Sequence, residues 1–109
     1  MTTIVSGTNG VLQSTDYQTP TTGFTYTFPS SSQVVLFKPI ATLLTGTITM
    51  PLAPSDGMTV TMASTQIITT LVLNGNTGQT VNNAITTLSA GGFASYLYRS
   101  ADTSWYRVG

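Results

Sequence analysis

Cysteine, histidine and glutamate are all missing from this 109-residue chain. Without cysteine there are no disulfides, no thiolate metal sites and no thiol nucleophile, so burial and backbone pairing alone must hold the fold. Without histidine and glutamate, most of the side chains that move protons near neutral pH are gone. Charge is scarce as well: three Asp face Lys38, Arg99 and Arg107, leaving 6% charged residues and a net charge of zero, against about 25% charged in an average domain. Three scattered cations cannot form the basic stripe that displaces counterions from phosphates, which argues against nucleic acid as a partner. No apolar run approaches the roughly 20 residues of a membrane-spanning helix, so no membrane partner is expected either. The opening Met1-Thr-Thr-Ile-Val-Ser-Gly7 lacks the basic and apolar segments of a secretory signal.

What fills the chain instead is threonine, 23 residues of it, with Ser, Gly, Val, Ile and aromatics. Branching at Cβ restricts χ1 and suits an extended backbone, so this mixture favours strands over helices. The length fits one domain. A domain of this size buries only roughly two-thirds of its unfolded surface, so apolar area covered by neighbouring copies would add appreciably to its stability.

Residues 1–23 are rich in Thr, Ser, Gly and Asn, with Ile4, Val5, Val11 and Leu12 as a thin apolar signal around the turn-prone Asn9-Gly10. They read as an extended N-terminal arm, with those four residues as candidate contacts to a larger partner. Residues 24–109 read as the β-domain. Phe24, Tyr26 and Phe28 alternate with threonines, the period-two pattern of a strand with one buried face. A mostly apolar strand comes next over 33–38, and its Val34, Val35, Leu36 and Phe37 are the candidate interface between protomers. Alternation resumes over 46–50 and 58–62, separated by Pro51-Leu-Ala-Pro-Ser-Asp-Gly57, a turn in which Pro fixes φ and Gly accepts positive φ. Residues 67–73 read as a buried strand ended by Asn74-Gly-Asn-Thr-Gly78, while 81–88 could be a strand or a single helical turn. Residues 93–99 and 104–108 form an aromatic hairpin around Ser100-Ala-Asp-Thr103. About eight short strands at this spacing predict an all-β fold, a small antiparallel sandwich or barrel-like domain.

Little in the chain carries chemistry. Asp16, Asp56 and Asp102 each sit beside turn-forming residues, where Asp commonly bonds its own backbone, and the competing reading is an acid and base pair. Lys38 could activate a serine in a Ser-Lys dyad, but no motif surrounds it and a solvated strand end beside Pro39 is the simpler reading. Calcium needs about six to eight oxygen ligands, which three isolated Asp do not supply, and Gly75-Asn-Thr-Gly78 matches no phosphate-cradling signature. No enzyme activity, metal or cofactor is expected. Tyr96, Tyr98, Trp105 and Tyr106 could stack on sugar, and the competing reading is core packing with cross-strand aromatic pairs.

Ile48-Thr-Met-Pro-Leu-Ala-Pro-Ser-Asp-Gly-Met-Thr-Val60 resembles a segment of tailed-bacteriophage fibre and decoration proteins, in which a strand runs into a proline turn and Asp-Gly opens the next strand. Leu71-Val-Leu-Asn-Gly-Asn-Thr-Gly78 is similar to the next strand and Asn-Gly turn of those proteins, and the stretch from Tyr96 to Tyr106 is similar to their closing hairpin. The resemblance covers roughly residues 46–109, and the first ten residues also look like the opening of some phage virion proteins. It implies a trimeric β-structure on the exterior of a phage particle, bound to a capsid or tail protein, with no catalytic residues to carry over. A single small domain suits a capsid decoration or cement protein that stabilises the shell. The alternative is a tail or head fibre domain whose aromatic hairpin binds a bacterial surface glycan.

Overall fold

A computed structural model describes residues 5–6, 10–11, 15–29 and 34–109. The described residues hold eleven strands and no helix. A short antiparallel pair, β1 (Val5–Ser6) and β2 (Gly10–Val11), sets Val5 opposite Val11. The chain then alternates between two sheets. β3 (Thr15–Gln18), β5 (Val34–Phe37) and β7 (Thr59–Ser64) lie parallel in one, and β4 (Phe24–Thr27), β6 (Leu43–Thr49) and β8 (Ile68–Asn74) lie parallel in the other. Each consecutive pair of strands is one coil, and three coils stack into a β-solenoid-like body.

The end of the chain closes this stack. β10 (Phe93–Arg99) runs antiparallel to β7, β11 (Ser104–Arg107) runs antiparallel to β10, and β9 (Thr80–Asn82) lies parallel to β11, completing the order β3-β5-β7-β10-β11-β9. On the three-stranded sheet the last strand is closed more sparingly, by an Ile68–Leu88 bridge and a Leu71 N–H to Thr86 C=O bond of 2.8 Å.

The all-β reading holds, but the antiparallel sandwich or barrel is corrected to parallel coils. The physical reason lies in the corners. Residues 19–23, 38–42 and 65–67, which join successive strands of a coil, contain no Asn-Gly or Asp-Gly pair to favour a two-residue hairpin, and Asp56-Gly57, in the corner between β6 and β7, does not close one either. The chain passes to the opposite sheet instead. Within the six-stranded sheet, β10 and β11 are joined by a hairpin at residues 100–103, where Thr103 takes a positive φ of 49°. The ambiguous 81–88 segment supplies the short β9 and then irregular backbone.

The core lies between the two sheets. Val35, Met62 and Ala94 are register neighbours across β5, β7 and β10, all fully buried, and they face Tyr26, Ile48 and Leu73, neighbours across β4, β6 and β8. Phe37 packs edge-on against Tyr26 at 5.5 Å between ring centroids, and Tyr26 against Phe28 at 5.3 Å, in the geometry aromatic rings prefer.

Three further expectations are relocated by this topology. Thr15–Gln18, read as part of the arm, is the terminal strand of the six-stranded sheet, so the first coil begins before residue 23. β5 pairs with β3 on one side and β7 on the other, and Val35 and Phe37 are fully buried. They serve the core rather than a protomer interface, and only Val34 and Leu36 turn outward, half-buried. Of the four arm residues, Val5 and Val11 lie in β1 and β2, while Ile4 and Leu12 lie outside the described residues.

Candidate functional site

The aromatic residues of the closing hairpin are turned inward. Tyr96 and Trp105 are fully buried and Tyr98 nearly so, with the Tyr98 and Trp105 rings 5.1 Å apart. The expectation of a sugar-facing platform is therefore corrected for these three: alternation along β10 turns Tyr96 and Tyr98 to the core, and Trp105, the register partner of Tyr98 on β11, is buried with them. The polar atoms of Tyr96 and Trp105 are satisfied inside the protein. Tyr96 Oη donates to the Asn83 carbonyl at 2.8 Å and accepts from Ile85 N at 3.1 Å, while Trp105 Nε1 donates to Gln79 Oε1 at 2.8 Å. Tyr106 faces outward, and its hydroxyl donates to Asp102, which also pairs with Arg99 at 3.7 Å.

Asp16 stands apart, whereas Asp56 and Asp102 both meet the closing hairpin. Asp16 is half-buried and accepts from Tyr26 Oη at 2.8 Å and Gln18 Nε2 at 3.1 Å. Asp56 accepts from Ser100 N at 2.8 Å and Ser100 Oγ at 3.1 Å, which holds its carboxyl below the usual carboxylate range. Asp102 belongs to the hairpin. Among the described residues no three acidic, histidine or cysteine side chains come together to hold a metal. Lys38 is exposed, and its backbone N–H is bonded to Gln18 C=O at 2.8 Å.

The unusual feature is the contrast between the two outer faces. On the three-stranded sheet, register sets Thr25, Thr47 and Val72 in one row and Thr27, Thr49 and Asn74 in the next, with Thr45 beside Thr70. This surface is mostly hydroxyl-bearing, with Val72 and the exposed Leu44 of β6 as the apolar residues of that sheet's exposed side chains. On the six-stranded sheet, Tyr17, Leu36, Ala63 and Phe93 form a row across four strands, and Thr15, Val34, Thr61 and Ser95 form the next. Val108 extends that second row through its N–H bond to Ser95 C=O at 2.8 Å. Leu97 lies one step further along β10. Tyr17 is 72% exposed, Phe93 61% and Val108 57%.

These rows carry no charged side chain, and their hydroxyls partly satisfy each other, Thr61 Oγ1 and Ser95 Oγ standing 2.8 Å apart. Strands about 4.8 Å apart bring such neighbours into side-chain contact. Such rows differ from the singly scattered exposed apolar residues that need no explanation. Of the expected interface, Val34 and Leu36 belong to them. Tyr17, Phe93, Leu97 and Val108 were missed by sequence reasoning. The available signal was the opposite alternation of Asp16-Tyr17-Gln18, in which two polar residues take the inner face and leave the aromatic outside.

No family model matches the chain, and neither a curated protein nor a solved structure matches it.

Proposed function

We propose that the chain is a structural subunit of a bacteriophage particle, a decoration or cement protein that binds the outside of the capsid as a homotrimer and stabilises the shell. The observation that carries this reading is the two-faced surface: an uncharged apolar face on the six-stranded sheet, centred on Tyr17, Leu36 and Phe93, opposite a threonine face on the three-stranded sheet. The apolar face suits burial between copies and against the shell, and the threonine face suits solvent. A closed symmetric assembly covers such a face completely and leaves none for uncontrolled association. With so few charges, the attachment depends little on salt, unlike ionic docking. Residues 1–14 complete the attachment as an arm lying across shell subunits.

The test is the solution mass of the purified protein by light scattering, followed by mixing with undecorated capsids and pelleting. The expected results are a trimer and co-pelleting in a fixed ratio to the shell subunit. A monomer would overturn the trimer, and a protein left in the supernatant would overturn decoration in favour of a fibre role. Removal of residues 1–14 is expected to leave a folded protein that no longer pellets, and retained binding would sink the role of the arm.

A further inference from the structure

We infer that Asn74 is a site of spontaneous backbone rearrangement, converting to isoaspartate and aspartate in the folded protein. Asn74 ends β8 with its side chain exposed and with no hydrogen bond to it among the described residues. The next residue is Gly75, whose N–H also makes no hydrogen bond among the described residues. Glycine is required there, because a Cβ would stand 2.6 Å from the Gln79 carbonyl oxygen. No side chain therefore shields the Gly75 nitrogen. Other asparagines differ: Asn76 Nδ2 is bonded to Met50 C=O at 3.1 Å and Asn82 Nδ2 to Trp105 C=O at 3.4 Å, and neither precedes glycine.

In the reaction, the Gly75 amide nitrogen loses its proton to solvent base and attacks Asn74 Cγ. The new C–N bond closes a five-membered imide as the Cγ–NH2 bond breaks and ammonia leaves. Water then opens either carbonyl, giving aspartate or, through the other bond, isoaspartate. Both products place a new carboxylate at the end of the Thr27–Thr49–Asn74 row. Isoaspartate also reroutes the main chain through Cγ. The Asn74 carbonyl that accepts from Met50 N at 2.9 Å becomes a side-chain carboxylate, next to the loop in which Asn76 and Gln79 bond the carbonyls of Met50 and Pro51.

The experiment is incubation of the folded protein at mildly alkaline pH and physiological temperature, with peptide mapping by mass spectrometry and enzymatic methyl labelling of isoaspartate. Cyanogen bromide cleavage after Met62 separates Asn74 from the chain's other Asn-Gly pair, Asn9-Gly10. The expected result is progressive loss of the Asn74 amide with isoaspartate as the larger product, while Asn76 and Asn82 keep theirs. Aged protein is expected to melt roughly 5 °C lower, and Asn74→Gln, which cannot form the five-membered imide, is expected to resist both changes. An Asn74 amide that survives in the folded protein would overturn the inference, whether or not the urea-unfolded chain converts.

Discussion

The Phe24 ring fills the space in which a side chain on Gly46 would stand, and the two are register partners on β4 and β6. The same ring lies 5.1 Å from that of Phe37, so it ties the first coil to the second. Glycine in a strand interior is a weakness unless something packs over it, and here an aromatic does. Gly46→Ala is expected to cost about 1–3 kcal/mol through overpacking, read as a lower urea midpoint with an unchanged slope. Adding Phe24→Ala should recover part of that loss, and strictly additive effects of the two substitutions would contradict the contact.

Gln79 joins the 74–79 loop to the closing hairpin. Its Oε1 accepts from Trp105 Nε1 at 2.8 Å and from Asn76 N at 3.0 Å, and its Nε2 donates to Pro51 C=O at 2.9 Å. Gln79→Met leaves these groups without partners and is expected to cost about 1–3 kcal/mol. Chemical denaturation followed by Trp105 fluorescence measures it.

Trp105→Ala is expected to cost about 3–5 kcal/mol, the usual loss for a fully buried large aromatic. Any drop in ligand affinity for that variant should track loss of the native circular dichroism signal. A variant that stays fully folded and loses sugar binding would contradict the burial of this ring.

Tyr26 is raised well above the ordinary tyrosine value of 10.0, first by burial, then by its hydrogen bond to Asp16 and by the negative charge of that carboxylate. A group whose folded pKa lies above its unfolded value stabilises the fold below the unfolded value and loses that contribution as pH rises toward the folded one. Stability is therefore expected to fall above about pH 10. Tyr26→Phe should flatten this alkaline slope in a series of urea titrations. Tyr96, pushed upward by burial, and Tyr106, pushed upward by its hydrogen bond to Asp102, retain the rest. An unchanged slope in the variant would show that Tyr26 does not carry the effect.

Tyr17→Ser and Phe93→Ser together test the apolar face. Both side chains are largely exposed, so the expected change in monomer stability is small, within about 0.5 kcal/mol for each. The expected change in assembly is large, a shift from trimer to monomer in light scattering and loss of co-pelleting with capsids. An intact trimer would place the contact elsewhere.

Much of the strand pattern was legible because alternation is a local property. The Phe24–Thr27 and Phe93–Arg99 strands read directly from their period of two, and the inward set at Tyr26, Tyr96 and Tyr98 comes from it. The neighbour of each strand was not legible. Val34–Phe37 looks like an apolar edge in sequence, yet β3 and β7 flank it, and β3 came from a segment too polar to suggest a strand. The outward row was hidden for the same reason, since Tyr17, Leu36, Ala63 and Phe93 are far apart in the chain and meet only through register.

The sequence by itself determined a β-rich chain with few charges and few proton-transfer groups, held without disulfides, since composition and Cβ branching act on each residue where it stands. Tertiary structure decided that the strands coil in parallel, that Trp105 is core, and that one sheet face is apolar while the other bears threonine. Those outcomes depend on which segments pair, and pairing is set by burial summed over distant residues that local propensity does not connect.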